Sequence, residues 1–126
     1  MTETFVKAGG LYSIVFALLH LLFWWLLDWK EELRKLSAVN EAIMRVLNLC
    51  VAFTFIIFGY ISLAHAHELL VTPLGRALLM LIALYWLARA IEQILFFEYR
   101  DWGSWVFFAL FLIGTGLYAY PALLAI

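Results

Sequence analysis

Residues 73–97 read PLGRALLMLIALYWLARAIEQILFF, an apolar run that contains Arg89, Glu92 and Gln93. The run is long enough to cross a bilayer as a helix, which takes about 20 residues. A charged side chain at membrane depth costs about 3 kcal/mol or more unless it is paired or hydrated. We therefore expect other parts of the chain to provide partners for these polar groups, and we expect the groups to mark the functional part of the protein.

The composition of the whole chain, like that of this run, is typical of a membrane protein. Its 126 residues are 67% hydrophobic and 13% charged, whereas a soluble domain carries about 25% charged residues. The formal net charge of −1 comes without the clustered basic residues of a nucleic-acid-binding protein. Cys50 is the only cysteine, which excludes an intrachain disulfide and a multi-cysteine metal site. The sequence predicts one transmembrane domain that covers residues 1–126.

Four segments have the length and composition of membrane spans. Each has roughly 20 residues or more, enough at about 1.5 Å per residue to cross about 30 Å of hydrocarbon. They must be helices, because four strands cannot close a barrel and an open sheet edge fails in lipid. We expect an all-α membrane protein, an antiparallel four-helix transmembrane bundle, with spans near residues 9–29, 42–64, 73–97 and 102–124.

The connections carry helix start signals. Asn40 is predicted to cap the second helix, Thr72 with Pro73 to begin the third, and Asp101 to cap the fourth. The first connection, residues 30–39, is the longest polar stretch. It is expected either to continue the first helix or to form a short amphipathic helix at the interface.

The basic residues predict an orientation. Five lie in or near the first and third connections and two lie toward the opposite side, which predicts that both termini face outward. We expect a multi-pass protein of a membrane such as the bacterial inner membrane. The two groups are Lys30, Arg34, Lys35, Arg45 and Arg100 against Lys7 and Arg76.

Depth along the helices gathers the polar residues into one cluster. Counting about 1.5 Å per residue from the cytoplasmic helix ends puts them all in the same half of the bilayer. Two layers are predicted, one of Arg45 with Glu92 and Gln93, the other of Arg89 with Asn48 and His20. The candidate ligand-binding residues are therefore Arg89, Glu92, Gln93, Arg45, Asn48 and His20.

Two interpretations of this cluster compete. In the first it is a buried ionic network that fixes helix register, with Glu92 neutralising the arginines, so that Glu92→Leu would cost about 3–5 kcal/mol. In the second it is a cavity for a polar or anionic headgroup or solute, since two arginines face one fully intramembrane acid and arginine suits carboxylate and phosphate. A proton relay through His20 and Glu92 is a third alternative.

No cofactor or metal is expected. His65 and His67 lie at the opposite end of the bundle from His20, so they cannot share a haem iron with it in one chain. With Glu68 they are weak candidates for a metal site in an exposed turn. Gly9, Ser13 and Ala17 form a small-residue stripe on the first helix, which is expected to pack within the bundle or against another protein.

The sequence shows no catalytic signature such as a nucleophile elbow or a phosphate-binding glycine loop. The leading prediction is a small integral membrane protein that binds a ligand, a lipid or a membrane-protein partner, including a second copy of itself, and no nucleic acid. The alternative is an oligomeric transporter or channel lined by His20, Arg89 and Glu92; a membrane-embedded enzyme comes third. The size and span count are similar to those of small multidrug-resistance transporters, but their mid-span acid is replaced here by His20, so the chain is not assigned to that family.

Overall fold

The computed structural model describes residues 1–98 and 100–124, and these residues form helices and no strands, with 91% of the structure helical. Four helices are long and apolar enough to cross a membrane. The predictions of an all-helical chain and of four long apolar helices are confirmed. The long helices are α1 (Thr2–Leu26), α3 (Ala38–Ala64), α5 (Pro73–Phe96) and α6 (Trp102–Leu124). The short ones are α2 (Trp29–Glu32), a 3₁₀ turn (Leu33–Lys35) and α4 (Ala66–Val71).

The first helix differs from the prediction at both ends. It begins at Thr2, well before residue 9, and Val6 in the added turns is fully buried. It ends at Leu26 because Asp28 adopts a left-handed conformation with φ of 52°, which the helix cannot continue through. The first connection then forms the separate short helix, and Trp29 and Leu33 are buried against the rest of the chain.

The helix start signals hold in two connections and fail in one. The prediction that Asn40 caps the second long helix is wrong: α3 begins at Ala38, and Ser37 Oγ accepts a hydrogen bond from the Asn40 N–H at 3.2 Å. Thr72 and Asp101 are confirmed as caps, since each side chain accepts a bond from a backbone N–H of the first turn, at 2.9 and 3.0 Å. Ser37 is the cap because its hydroxyl lies where it can accept the hydrogen bond of the Asn40 backbone N–H, so Asn40 is itself inside the first turn.

The long helices pack closely in three pairs: α1 with α3, α1 with α6, and α5 with α6. Helices α3 and α5 instead meet through large aromatic side chains. The Phe55 ring stacks on the Trp86 ring with centroids 4.9 Å apart, and Phe58 meets Tyr85 edge-on at 5.4 Å. The rings hold the backbones of α3 and α5 apart. The fully buried Trp86 is the centre of the core, with rings from α1, α3 and α6 around it: Tyr12, Phe16, Phe55 and Phe111.

A tight polar layer, called the tyrosine layer, joins α1, α3 and α6 near the N-terminal end of α1. It consists of Gly9, Ser13, Ser62 and Tyr118, all buried. The Tyr118 hydroxyl lies 2.7 Å from Ser62 Oγ and 3.3 Å from Ser13 Oγ, and Ser13 Oγ donates to the Gly9 carbonyl at 3.0 Å. A Cβ added to Gly9 would lie only 2.8 Å from the Tyr118 ring. Small residues here let the large ring enter the helix interface.

The small-residue stripe of α1 lies inside the chain, since Gly9, Ser13 and Ala17 are all buried within it. The within-bundle alternative is therefore the one that the structure shows. In α6, a Cβ at Gly114 would lie 2.8 Å from the Tyr12 ring, whereas one at Gly116 would meet nothing within 4 Å. Of these two glycines only Gly114 marks a close approach.

Candidate functional site

His20 and Asn48 form a reciprocal pair between α1 and α3. His20 Nδ1 lies 2.9 Å from Asn48 Oδ1, and Asn48 Nδ2 donates to the His20 carbonyl at 2.8 Å. Both side chains are half-buried. The predicted association of these two residues is present. Two bonds between the same residues fix the register of α1 against α3, because sliding either helix by a turn would break both.

Arg89 lies near this pair on α5, but it is held by aromatic rings. The guanidinium carbon lies 4.5 Å from the Phe111 ring centroid and 5.5 Å from that of Phe97, within the range of a cation–π contact. Its Nη1 atom is buried and makes no hydrogen bond in the described part of the chain. The ring faces stabilise the positive charge but cannot accept the in-plane hydrogen bonds that a guanidinium offers.

Gln93, one turn further along α5, is 3% exposed. Its Nε2 donates to Ser104 Oγ at 3.1 Å, whereas its Oε1 is buried with no hydrogen-bond partner among the described residues. A cavity of about 10 Å³ lies beside the two side chains, between Ile94, Phe97 and Trp105. That volume is about the size needed for one water molecule.

In the described part of the chain, the three buried polar side-chain atoms without a partner therefore all belong to one helix: Trp86 Nε1, Arg89 Nη1 and Gln93 Oε1. These residues are spaced three and four apart, which puts them on one face of α5. We call Trp86, Arg89 and Gln93 the α5 stripe. Buried polar groups in proteins almost always have a hydrogen-bond partner. The stripe offers two donors, one of them charged, and one acceptor.

Glu92 does not neutralise the arginines as the sequence predicted. Its side chain is exposed, and it forms no ion pair within 4.0 Å with any described residue. The reason is the helix face: Glu92 adjoins Gln93 in the chain, so it lies about 100° away from the buried side of α5. The interpretation of Glu92 as a buried counter-ion is therefore corrected.

Arg45 also lies away from the α5 stripe. Its side chain is 55% exposed, its Nη1 is 3.9 Å from Glu41 Oε1, and its guanidinium carbon is 4.7 Å from the Trp24 ring centroid. The predicted layer of Arg45 with Glu92 and Gln93 is therefore not formed. Arg45 is on α3 and the other two are on α5, and these two helices are not among the closely packed pairs.

Two members of the site were not among the predicted residues. Trp86 was indistinguishable by sequence from other aromatic core residues, although its position three residues before Arg89 puts it on the same helix face. Ser104 is one of the few polar residues of the fourth long helix. Its position near the start of α6 brings it opposite the end of α5, and this connection could have indicated contact with Gln93.

His65 and His67, at the opposite end of the bundle from His20, do not form a metal site with other described residues. His65 Nδ1 lies 2.6 Å from Glu68 Oε2, and this exposed pair closes one turn of α4. Among residues 1–98 and 100–124 no group of three or more His, Cys, Asp or Glu side chains is arranged to hold a metal ion.

Comparison of the chain with protein-family models, with curated proteins and with solved structures finds no match. The functional conclusion therefore rests on the geometry of the α5 stripe and of the helices around it.

Proposed function

We propose that the chain is a multi-pass membrane protein, an antiparallel four-helix transmembrane bundle with both termini on the outer side. The long helices have 23 to 27 residues, or about 35–40 Å at 1.5 Å per residue, and so exceed the hydrocarbon thickness of about 30 Å. Large apolar side chains are exposed along all of them. So much exposed apolar surface is suited to lipid rather than to water. The excess of basic residues in two connections supports the orientation.

The function that we propose is the binding of an anionic ligand at the α5 stripe, without chemistry by the protein. Arg89 Nη1 carries this proposal, because it is a buried donor on a charged group with no bond in the described chain. A charge at this depth is costly unless an opposite charge or water meets it. Glu92 does not form that pair, so a carboxylate or phosphate group supplied from outside the chain is the natural partner for the guanidinium.

The neighbouring polar atoms narrow the ligand's chemistry. Trp86 Nε1 is a second donor and Gln93 Oε1 is an acceptor on the same face of α5. An oxyanion can accept from the guanidinium and the indole, and a hydroxyl group on the same ligand can donate to the amide oxygen. The ligand class that fits is a small phosphate or carboxylate carrying a hydroxyl, either free or as a lipid headgroup.

The transport alternative has less support within a single chain. A path through the bundle would have to cross the tyrosine layer, where Ser13, Ser62 and Tyr118 are fully buried and bonded to one another. Of the three proposed path residues, Glu92 lies on the exposed side of α5 rather than beside His20. A binding site in one half of the bundle requires neither a path across the tyrosine layer nor a position of Glu92 beside His20.

The test is the substitution Arg89→Lys, which keeps the charge but removes the planar fork. Native mass spectrometry of protein purified from membranes should show a bound anionic species on the wild type and at least about tenfold less of it on the variant, since a charge-assisted hydrogen bond contributes about 1.5–3 kcal/mol. Thermal unfolding in detergent should show that the variant is folded.

Arg34→Lys is the matched control, because Arg34 is exposed and paired with Glu31. It should retain the bound species at the wild-type level. The same species in equal amount on wild type and Arg89→Lys, or no species on either, would contradict the proposed site.

A further inference from the structure

A groove runs along the outer surface between α1 and α3, away from the α5 stripe. It consists of two adjoining depressions that share Leu21 and Leu49, one of about 120 Å³ and one of about 660 Å³. The smaller one is polar at its mouth, where Trp24, Arg45 and Asn48 line it. The larger is apolar apart from Cys50 and Thr54, and its other walls are Val46, Ala52, Phe53 and Ile56. The groove is therefore charged at one end and apolar along its length.

The order of side chains along α3 gives this groove a direction. Glu41, Arg45, Leu49 and Phe53 are each four residues apart, so they follow one stripe of the helix. From the start of α3 inward the stripe reads acid, base, apolar, apolar. Each step is about 6 Å along the helix axis. Of these residues, Arg45 and Leu49 line the small depression, and Leu49 and Phe53 line the large one.

The ionic pair at the mouth has capacity for further partners. Glu41 Oε1 and Arg45 Nη1 are 3.9 Å apart, at the outer limit of an ion pair. The side chain of Glu41 is 32% exposed and that of Arg45 is 55% exposed. An exposed pair of this kind is weak, about 0–1 kcal/mol. The two acids of the short helix α2 are already matched, since Glu31 faces Arg34 and Glu32 faces Lys35. The mouth of the groove thus presents one negative and one positive group, with the positive one deeper.

We infer that this groove binds one zwitterionic phospholipid with a phosphoethanolamine headgroup, whose phosphate pairs with Arg45 and whose ammonium pairs with Glu41. The headgroup of such a lipid reads ammonium, phosphate, acyl chain from water inward, which is the complement of the stripe Glu41, Arg45, Leu49 and Phe53. The Trp24 ring beside Arg45 lies where an interfacial tryptophan belongs. The inference rests on the proposed membrane location of the chain, but not on ligand binding at the α5 stripe.

Depth in the bilayer agrees with this occupant. Helix α3 has 27 residues, or about 40 Å, so about 5 Å extends beyond the hydrocarbon at each end. Glu41, in its first turn, therefore lies at the headgroup level. The groove from Arg45 to Ile56 is about 16 Å long, close to the roughly 15 Å thickness of one leaflet's hydrocarbon. Arg45, one turn below Glu41, lies about 6 Å inside the hydrocarbon, from where its long side chain can reach back to the phosphate, and an acyl chain can lie along the groove beyond it.

The headgroup preference is measured by native mass spectrometry. Delipidated protein is mixed with equal amounts of phosphatidylethanolamine, phosphatidylcholine and phosphatidylglycerol that have identical acyl chains. The wild type should carry phosphatidylethanolamine about threefold to fivefold more than the other two, the range that an exposed ion pair supports. Arg45→Gln should lower the binding of all three lipids, because each of them carries the phosphate that Arg45 pairs with.

Glu41→Gln separates the two charges. It should shift the preference toward phosphatidylglycerol, because only the phosphate partner then remains. Glu31→Gln is the matched control, an acid of equal charge whose partner Arg34 lies off the groove. It should leave the preference unchanged.

Cys50 reports where the lipid lies, because it is the only cysteine and is exposed in the groove. Added phosphatidylethanolamine should slow its alkylation by a maleimide in detergent about threefold or more, and Arg45→Gln should abolish the protection. Equal binding of the three lipids to wild type, an unchanged preference in Glu41→Gln, or alkylation of Cys50 that lipid does not slow would each overturn the inference. A lipid-independent dimer that covers Cys50 would also overturn it, since a second copy would then fill the groove.

Arg89→Lys distinguishes this inference from the proposed function. It should keep the phosphatidylethanolamine preference and the Cys50 protection whatever happens at the α5 stripe. If the α5 stripe binds nothing but these two results hold, the groove is a lipid site on a protein whose internal function is different.

Discussion

In the tyrosine layer every hydroxyl has a partner within the chain, whereas the α5 stripe contains three buried polar atoms that have no partner among the described residues. The tyrosine layer joins α1, α3 and α6, whereas the stripe lies on α5 and runs from Trp86 in the centre of the core toward the end of that helix. In the first, small residues let Tyr118 enter a close helix interface and reach Ser13 and Ser62. In the second, aromatic rings separate α3 from α5, and no acid among the described residues forms an ion pair with Arg89.

The difference indicates a division of roles between the two regions. A fully bonded polar layer stabilises one packing of the helices, because any other register leaves its groups unsatisfied. Arg89, a half-buried charge without an ionic partner among the described residues, does not stabilise the fold by itself. Substitutions in the tyrosine layer should therefore act mainly on stability, and substitutions on the α5 stripe mainly on ligand binding.

The largest effect is expected from Tyr118→Ala in the tyrosine layer. Tyr118 is fully buried, so its removal leaves a cavity and two serines without their partner, at a cost of about 3–5 kcal/mol. Thermal unfolding in detergent measures the loss. Tyr120→Ala is the control. Tyr120 lies two residues further along α6 on its exposed side, and its hydroxyl makes only a weak hydrogen bond to Met1 Sδ at 3.7 Å. Equal losses in the two variants would contradict the role given to the tyrosine layer.

An intermediate effect is expected from Asn48→Leu. This substitution removes both bonds of the His20–Asn48 pair between α1 and α3, and interhelical bonds in membrane proteins contribute about 0.6 kcal/mol each. We expect a loss of about 1 kcal/mol in the free energy of unfolding. Asn40→Leu, at an exposed site on the same helix, is the control. A loss as large as that of Tyr118→Ala would show that the structural role is not confined to the tyrosine layer.

The smallest effect is expected from Glu92→Leu. A buried counter-ion would cost about 3–5 kcal/mol to remove. Because Glu92 is exposed and forms no close ion pair with a described residue, we expect a change within about 0.5 kcal/mol, and the same for Glu92→Gln. Unfolding measured in detergent and in lipid nanodiscs tests both variants. A loss of several kcal/mol would restore the ionic network and remove the contrast with the tyrosine layer.

For the polar residues of the candidate site, the sequence predicted one contact that the structure shows and one that it does not. Depth counting placed His20 level with Asn48, and these two residues do bond. The same counting placed Arg45 near Glu92, and they lie on separate surfaces. Depth is one coordinate of a helix residue, and rotation about the helix axis is the other. Rotation is decided by which neighbours each helix packs against, and a single sequence does not state this.

The sequence by itself determined the helical fold, the four long apolar helices and two of their caps, because length, hydropathy and capping chemistry are local properties. Only the tertiary structure decided that Asp28 ends α1, that Trp86 is the centre of the core, and that Arg89 meets phenylalanine rings instead of Glu92. Each of these depends on how large rings and small residues share the space between helices. That balance of volumes arises only when the helices meet.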